Sequence, residues 1–484
     1  MSLRPSLVAF AAAALVSACA VGPDYVRPTL PVPAAYKESG AWKPAQPQQA
    51  GSGLAWWQAY GDATLDGLMN DAQAANQNIR QAEATYRQAR ALADADRAGL
   101  FPTLGVNASV ARAQANTTGK TKVANADALG LAASWEPDLW GGVRRSIESG
   151  NAAAQASADD LAAARLSIQT TLAQDYVQLR IADQQRDLYD DTVAAYAKAL
   201  KLTRAQHSAG VALQSDVALA EAQLAQAQAA DVDLEASRAQ LEHAIAVLTG
   251  RAPAQFSLAR LPAGAAQASE PQLPATPAVL PSELLEHRPD IAGAERRAAA
   301  ANASIGVAKA AYFPQLTLSG NDGFSAASLG SLFDTPARVW SIGAALAQTI
   351  FDGGLRTARV AQAEAGYDIT VAQYKETVLG AFQQVEDQLA LLRLLDQEAA
   401  LQAQAVRSSQ QAERLALAQY RAGTGSYLAV VTAQTLSLTN QRTAVQLRGR
   451  LVGASVALVA ATGGGWSATD HPDASAAATP AQPQ

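Results

Sequence analysis

The chain has 484 residues, of which 49% are hydrophobic and only 6% aromatic, and its formal net charge at pH 7 is −6. An acidic chain without a block of basic residues cannot neutralise the phosphates of a nucleic acid, so we assign no nucleic-acid partner. The single cysteine, Cys19, excludes an intramolecular disulfide and a cysteine-based zinc cluster.

The N-terminus predicts a lipoprotein signal peptide over residues 1–18. Arg4 precedes an apolar run, residues 7–16, that is too short to span a bilayer in the mature protein. The sequence Val16-Ser17-Ala18-Cys19 resembles a bacterial lipobox, in which the cysteine is acylated and becomes the new N-terminus. Residue 20 is Ala and not the Asp of an inner-membrane retention signal, so we expect an outer-membrane destination. An ordinary signal peptide with an incidental cysteine is the alternative.

Residues 19–61 are rich in Pro and Gln, a composition that favours an extended strap over the surface. A helix is predicted to follow, from about Asp62 to about Ala98. Its buried stripe recurs at helical spacing and comprises Leu65, Leu68, Ala72, Ala75 and Ile79.

At Phe101-Pro102 the apolar period changes from helical to two, which predicts a β-strand. The apolar face of this strand carries Leu104, Val106, Ala108 and Val110. The polar residues 114–125 then predict a long loop, and a return strand passes through Leu129 and Leu131. These segments form a first β-hairpin.

A second hairpin is predicted from Leu316 and Leu318, with a loop containing Asn321-Asp322-Gly323 and a return strand over about residues 338–350. Aromatic residues cluster near the strand ends; they would fill the core of a soluble sandwich, whereas in a transmembrane barrel they form girdles at the two interfaces. The cluster comprises Trp135, Trp140, Phe313, Phe324, Phe333, Trp340 and Phe351.

Four strands per chain predict an oligomer. An open four-stranded sheet in lipid would leave unpaired edges that cost several kcal/mol per backbone group, and bacterial barrels begin at eight strands. Two chains would give eight strands, whose lumen is filled by side chains, whereas three chains give twelve. A conduit needs the larger barrel, so we predict a homotrimer.

Paired glycines connect the strands to long helices. Gly141-Gly142 and Gly353-Gly354 permit a turn that a Cβ would obstruct, so we predict strand–helix hinges there. The first long helix is predicted to end at about His207. After a turn at Ser208-Ala209-Gly210, a return helix covers about residues 215–248.

The second long helix, about residues 352–420, carries an apolar seam that repeats every seven residues, as in a coiled coil. The seam comprises Val371, Val378, Val385, Leu392, Ala399 and Val406. More than sixty residues at 1.5 Å each span roughly 100 Å, which predicts an elongated bundle. The helix is predicted to break at residues 421–426 and to return over about 427–460.

The two halves are internal repeats. Phe101-Pro102 and Gly141-Gly142 recur at an offset of 212 in Phe313-Pro314 and Gly353-Gly354, and Ala209-Gly210 recurs at an offset of 213. A repeat that keeps its register over this distance implies duplication. We therefore predict repeats at residues 62–250 and 282–463, a Pro- and Ala-rich linker at 251–281, a helix starting at Arg288-Pro289-Asp290, and a disordered tail at 464–484.

Three runs of residues resemble one family. They are residues 284–291 (Leu-Leu-Glu-His-Arg-Pro-Asp-Ile), 301–306 (Ala-Asn-Ala-Ser-Ile-Gly) and 312–316 (Tyr-Phe-Pro-Gln-Leu). They resemble the TolC-like outer-membrane efflux proteins, and with the lipobox the chain looks like the lipoprotein branch of OprM and NodT-type factors. The resemblance covers residues 19 to about 464.

This resemblance implies a mainly α-helical chain with a β-barrel portion. Duplicated helical hairpins would form a periplasmic α-barrel, and four strands per chain would contribute to a trimeric twelve-stranded barrel in the outer membrane. It implies a passive exit duct for small molecules, lipid-anchored, in a tripartite efflux system. Its partners would be a periplasmic adaptor and an inner-membrane transporter, commonly of the resistance-nodulation-division type.

By the layout of that family, the two turns between the long helices form the closed periplasmic end and the docking surface for the adaptor. The matching positions are Ala209, Gly210, Val211, Asp216, Arg421, Ala422, Gly423, Thr424 and Leu428. Many relatives have an acidic residue in the second turn, where this chain has Gly425-Ser426. Asp216 is then the nearest carboxylate, and helix capping is the competing interpretation of its role.

Other function classes find less support in the sequence. The four histidines have no metal-ligand spacing and no nucleophile motif is present, so we predict no enzyme, cofactor or metal. A periplasmic coiled-coil scaffold without a pore is permitted by the helices and opposed by the amphipathic hairpins, and it stays an alternative. A duct for type I protein secretion stays open as an alternative, and the sequence does not identify the exported compound.

Overall fold

The computed structural model describes residues 20–33, 35–38, 55–117, 120–261 and 287–466. The predicted signal peptide, the acylated Cys19, residues 262–281 of the linker and the tail beyond Trp466 lie outside the described residues. Within these ranges the chain is mainly helical, with one four-stranded sheet. The predicted fold class of duplicated helical hairpins with four strands is therefore confirmed.

The elements follow one another in two similar series. The first is α1 (Ala63–Ala75), α2 (Gln77–Ala98), β1 (Thr103–Thr117), β2 (Lys120–Trp135), α3 (Gly142–Ser208) and α4 (Gln214–Leu248). The second is α5 (Pro289–Ala310), β3 (Gln315–Ala326), β4 (Arg338–Ala347), α6 (Leu355–Arg421) and α7 (Tyr427–Ala461). Helices α3 and α6 both have 67 residues, and α4 and α7 both have 35, as duplication predicts.

The chain divides into two compact units. The sheet unit contains the described residues up to Leu30 together with Ala84–Ala158 and Gly293–Glu376. The helical unit contains the described parts of Pro31–Glu83, Asp159–Ala292 and Thr377–Gln484. Each of the long helices α3 and α6 contributes residues to both units.

The sheet is an antiparallel meander in the order β1-β2-β3-β4, so that β1 and β4 form its edges. Val106 lies opposite Leu131, and Leu318 lies opposite Ala344. Directly opposed residues share a face, so this register collects most of the large apolar side chains on one side of the sheet, together with Asp127 and Asp322, and mainly small or polar ones on the other. The apolar face includes Leu104, Val106, Val110, Leu129, Leu131, Leu318, Trp340, Ile342 and Leu346.

Two segments that were predicted as loops are strands in the structure, so these two predictions are wrong. The polar residues 114–125 are not a long loop, because β1 and β2 run on to Thr117 and Lys120, which pair with each other. Likewise Asn321-Asp322-Gly323 lies inside β3, opposite residues 339–341 of β4. In both places ladder pairing with a neighbouring strand overrides the turn preference of polar residues.

The predicted first helix is two helices. Asn76 separates α1 from α2 with an extended backbone at ψ 129°. Its side-chain oxygen accepts the backbone N–H groups of Asn78 and Ile79, at 2.9 and 3.1 Å, and therefore caps α2. Its amide nitrogen donates to the carbonyl of Leu248 at 2.8 Å. The predicted stripe is nevertheless buried at Leu65, Leu68, Ala72 and Ile79.

The helical unit is packed along the predicted seam of α6 and along apolar residues of α3. Val378, Val385 and Leu392 of α6 are buried, as are Leu172 and Leu179 of α3. Among the described helices α7 is long and apolar enough to span a membrane by length and composition. Its buried face nevertheless includes polar residues within the helical unit, such as Gln434, whose Oε1 accepts a hydrogen bond from Gln223 Nε2 at 3.4 Å.

Candidate functional site

The turns that end α3 and α6 have the same backbone design. Gly210 and Gly423 adopt φ of 79° and 74°, the left-handed conformation that ends many helices. The backbone N–H group after each glycine donates back to the preceding helix. Val211 donates to the carbonyl of Gln206 at 2.9 Å, and Thr424 donates to that of Gln419 at 3.0 Å. A Cβ added at either glycine would meet nothing within 4 Å. Backbone conformation, and not space, therefore demands glycine at both positions.

The two turns meet in one hydrophobic cluster of the helical unit. Its buried members are Leu200, Val217, Ala220, Tyr427 and Val430. The rings of Tyr420 and Tyr427 lie 5.2 Å apart, and the hydroxyl of Tyr420 donates to Gln206 Oε1 at 2.6 Å. The structure thus brings the two turns together through residues that flank them, and none of the predicted docking residues is a member of this cluster.

The predicted docking residues surround this cluster on the exposed surface. The side chains of Val211 and Leu428 are 76% and 59% exposed, and Leu213 is exposed beside them. Ala209 and Thr424 are also exposed. These predicted residues are therefore accessible at the end of the helical hairpins, and their role in docking stays a prediction.

Asp216 serves as a cap in the first turn. Its carboxylate accepts the backbone N–H of Leu213 at 3.2 Å, at the start of α4. It also contributes to the raised pKa of the Tyr427 hydroxyl, of which burial is the largest cause and the neighbouring Tyr420 the next. The capping interpretation of Asp216 accordingly has a direct contact in its support.

Sequence reasoning missed the tyrosines of the second turn. Tyr427 is buried and Tyr420 joins the two turns, although neither was selected as a site residue. The available signal was their position, since Tyr420-Arg421-Ala422-Gly423 and Tyr427 place one aromatic ring on either side of the turn glycine.

The strand–helix junctions of the sheet unit contain the predicted glycines. Gly141, Gly353 and Gly354 have positive φ, whereas Gly142 does not; there an added Cβ would approach Ala310 to 3.2 Å. The positions are therefore constrained for different reasons. Whether they act as hinges stays a prediction.

An aspartate caps each helix that leaves the sheet. Asp138 accepts the N–H groups of Val143 and Arg144 at 3.0 and 2.9 Å. Asp352 accepts the N–H of Arg356 at 3.2 Å and its Nε at 2.6 Å. The hydrogen bond from Arg356 is the main cause that lowers the pKa of Asp352.

The N-terminal segment, residues 20–27, is bound beside the first junction. Val21 donates its N–H to the carbonyl of Trp140 at 3.1 Å, and Arg145 reaches Asp24 at 2.8 Å. A Cβ on Gly141 would lie 2.8 Å from the Cα of Ala20. The residue that follows Cys19 is therefore fixed at the point where the sheet gives way to helix.

The apolar face of the sheet is largely exposed. Val106, Trp340 and Ile342 are 70%, 71% and 83% exposed. A contiguous apolar face of this kind on a soluble chain would promote aggregation, whereas in a membrane protein it contacts lipid. The opposite face offers small and polar side chains such as Asn107, Ser109 and Ser319.

Comparison with known proteins gives one consistent result. The family model described as outer membrane efflux protein matches residues 68–251 and 280–464. The chain is 32% identical over 459 residues to the outer membrane protein OprJ of Pseudomonas aeruginosa, covering 93% of this chain and 94% of OprJ. It is 30% identical over 475 residues to the toluene efflux pump outer membrane protein TtgC of Pseudomonas putida, covering 96% of each.

The fold agrees with a solved structure over nearly its whole length. The outer-membrane channel OprN superimposes with a TM-score of 0.86 and 32% sequence identity, covering 93% of this chain and all of the OprN chain. The two family-model segments coincide with the two series of elements, each of which contains strands followed by a long helix and a return helix.

Proposed function

This chain belongs to the outer membrane efflux protein family, and on that premise we propose that it is the passive exit duct of a tripartite efflux system. It is an outer-membrane channel protein. The observation that carries the proposal is the four-stranded sheet, with one exposed apolar face and one face of small and polar residues. Such a sheet suits a wall between lipid and a water-filled lumen.

The edges of the sheet support a homotrimer. Strands β1 and β4 each have one edge without a partner strand in the described chain. In lipid, the backbone groups of such edges must be paired. Pairing β1 of one copy with β4 of the next closes the wall, and three copies give twelve strands, enough for a lumen that side chains do not fill.

The partners in this proposal are a periplasmic adaptor and an inner-membrane transporter, of the resistance-nodulation-division type. The exposed apolar residues Val211 and Leu428 support adaptor docking at the turns. The duct itself holds no energy source, and we propose no catalytic activity for it. The transporter supplies the driving force and selects the cargo.

Single-channel recording tests the function. Purified protein in planar bilayers should give discrete ion currents, which increase when Tyr420→Phe and Gln206→Ala are combined to disconnect the turns. A complete absence of current in both proteins would reject the duct and favour a scaffold. Chemical crosslinking should give trimers as the largest product, and a dimer limit would reject the twelve-stranded wall.

Lipid anchoring at Cys19 is part of the proposal. The hydrogen bonds of Val21 with Trp140 and Arg145 support it, because they hold the residues after Cys19 at the strand–helix junction of the sheet unit. Cells labelled with palmitate should incorporate it into the wild type and not into Cys19→Ser. A wild type that takes up no label would contradict the lipid anchor and leave the duct proposal intact.

Two substitutions test the assigned turns. Gly423→Pro should lower export without lowering trimer yield, since it changes only an exposed turn. Asp216→Asn keeps a capping oxygen and removes the charge, so cation selectivity should stay unchanged if the residue is a cap. A change in selectivity would assign Asp216 to the gate instead.

A further inference from the structure

A groove of about 690 Å³ lies in the sheet unit between α2, the first turns of α3, the last turns of α5 and the first turns of α6. This volume is within the range of small-molecule binding sites. Its lining combines apolar, hydroxyl and charged side chains. Those used below are Leu92, Asp96, Ser149, Val307, Arg356 and Arg359.

The two arginines of the groove differ in their partners. Arg356 is paired with Asp352 at 2.6 Å, and its guanidinium lies 5.3 Å from the ring centre of Tyr312. Arg359 is exposed and has no ion-pair partner within the described parts of the chain. Its planar donors are therefore available for an anionic group such as a carboxylate or sulfonate.

The other polar groups of the groove are already bonded to one another. Asp96 accepts the hydroxyl of Ser146 at 3.2 Å. Ser149 donates to the carbonyl of Ala300 at 2.9 Å and lies 3.2 Å from the hydroxyl of Ser304. Arg359 therefore supplies the cationic donor that remains for a ligand, while the second carboxylate oxygen of Asp96 disfavours an anion at the α2 side of the groove.

The apolar part of the groove is open. Leu92 is 61% exposed and Val307 is 38% exposed, and the alanines between them leave room for a planar or branched hydrocarbon body. A ligand could contact Leu92 and Val307 with its hydrocarbon body and Arg359 with its charged end. It would then bury apolar surface and also gain a charge-assisted hydrogen bond.

Helix α5 contacts the N-terminal segment on one face and lines the groove with another. Asn302 donates to the carbonyl of Pro23 in the N-terminal segment at 3.0 Å, and Gly306 packs against Gly22. Ser304 and Val307, which line the groove, lie on the opposite side of the same helix at 3.6 residues per turn. The N-terminal segment therefore occupies one face of α5 and the groove another, and we place the groove on the lumen side of the proposed duct.

We propose that this groove is a binding site for small amphiphilic organic anions, in which Arg359 holds the acidic group and Leu92 and Val307 contact the hydrocarbon body. This inference rests on the proposed duct, whose cargo would pass the groove. The site would retain such a molecule on the wall for longer than a neutral analogue.

Equilibrium dialysis of the full-length protein in lipid nanodiscs tests the site. The probe is naphthalene-2-sulfonate, its neutral comparison is naphthalene-2-sulfonamide, and empty nanodiscs give the blank. Wild type should bind the sulfonate saturably and more tightly than the sulfonamide. Arg359→Gln should weaken sulfonate binding by about tenfold, the loss expected for one charge-assisted hydrogen bond.

Two further variants control for charge and shape. Arg87→Gln removes an exposed arginine of α2 that does not line the groove, and it should leave binding unchanged. Ala153→Phe places a ring in the groove from an exposed position and should prevent binding while Arg359 is retained. Trimer yield of each variant shows that it has folded.

Three results would overturn the inference: no saturable binding above empty nanodiscs, equal affinity for sulfonate and sulfonamide, or equal binding by wild type and Arg359→Gln. Dialysis does not require an open pore, so this test is separable from that of the duct. A protein that conducts ions but does not bind the sulfonate refutes the site alone. A protein that binds the sulfonate but never conducts refutes the duct alone.

Discussion

The two repeats use one short motif in two different ways. Leu179-Arg180-Ile181-Ala182-Asp183 in α3 recurs at an offset of 213 as Leu392-Arg393-Leu394-Leu395-Asp396 in α6. In the first repeat Asp183 is only 1% exposed and accepts from Arg180 at 3.2 Å and from Arg238 at 2.7 Å. In the second repeat Asp396 is exposed, and Arg393 pairs with Glu38 at 2.7 Å.

The return helices explain this difference. Helix α4 supplies Arg238, whereas α7 has Leu451 at the position 213 residues later. A buried carboxylate is tolerated only when charged partners replace its lost hydration. Asp183 has two such partners and can be buried, while Asp396 has no ion-pair partner among the described residues and remains in solvent.

Each motif also binds a different irregular segment of the helical unit. Arg180 donates to the carbonyl of Ala259 at 3.1 Å and Arg238 to that of Leu258, which fixes the start of the Pro-rich linker. Arg393 instead binds the N-terminal segment through Glu38. Both repeats therefore retain the arginine and the aspartate, but the partners of these residues differ between the repeats.

Removal of the buried carboxylate is the strongest test of this comparison. Asp183→Ala leaves the buried Arg180 without its counter-ion and leaves Arg238 with Glu242 alone, so it should lower the free energy of unfolding by about 3–5 kcal/mol. The matched control Asp396→Ala removes an exposed carboxylate and should change it by less than about 0.5 kcal/mol. Urea unfolding of the purified proteins measures both, and equal losses would refute the proposed asymmetry.

The ion pair of the second repeat should have a smaller effect. Arg393 and Glu38 are partly exposed, and such pairs contribute about 0.2–1 kcal/mol. A double-mutant cycle of Arg393→Ala and Glu38→Ala should give a coupling energy in this range that decreases with added salt.

The exposed pair Arg450–Glu398, with its atoms 3.7 Å apart, is the control for that cycle and should show almost no coupling. Equal coupling energies in the two cycles would mean that Arg393 does not hold the N-terminal segment.

The helices could be predicted from the sequence because their signal is long and regular. The seam of α6 through Val378 and Val385 fixes its buried side, and the predicted end of α3 at His207 is one residue from the observed Ser208. The strands were predicted less well. Strand ladders depend on a partner elsewhere in the chain, so local turn preference at Asn321-Asp322-Gly323 gave the wrong answer.

The candidate site also has a part that could be predicted from the sequence and a part that could not. The turn glycines Gly210 and Gly423 were predictable because a helix end needs a left-handed residue. The pairing of Tyr420 with Gln206 was not, since these residues are 214 positions apart and only the packing of four helices brings them together. The burial of Asp183 was hidden for the same reason, because its second cation lies on another helix.

The smallest expected change in stability concerns a carboxylate of the first repeat that takes part in none of the ion pairs described above. Asp175 of α3 is partly buried, has no ion-pair partner among the described residues, and has its pKa raised by that burial. At the position 213 residues later the second repeat has the neutral Gln388. We therefore expect Asp175→Asn to stabilise the protein at pH 7, by less than about 1 kcal/mol for a partly exposed group.

The pH dependence of this difference identifies its cause. A raised pKa means that the native state holds the proton of Asp175 more tightly than the unfolded chain does. The resulting stabilisation is complete below the unfolded pKa of about 3.9 and is lost as the pH rises through the native value. Wild type and Asp175→Asn should therefore unfold at the same temperature near pH 3 and diverge towards pH 7, with the variant higher. A constant difference at all pH values would show that the asparagine side chain acts through packing. Asp175 would then give no evidence that an unpaired charge destabilises the first repeat.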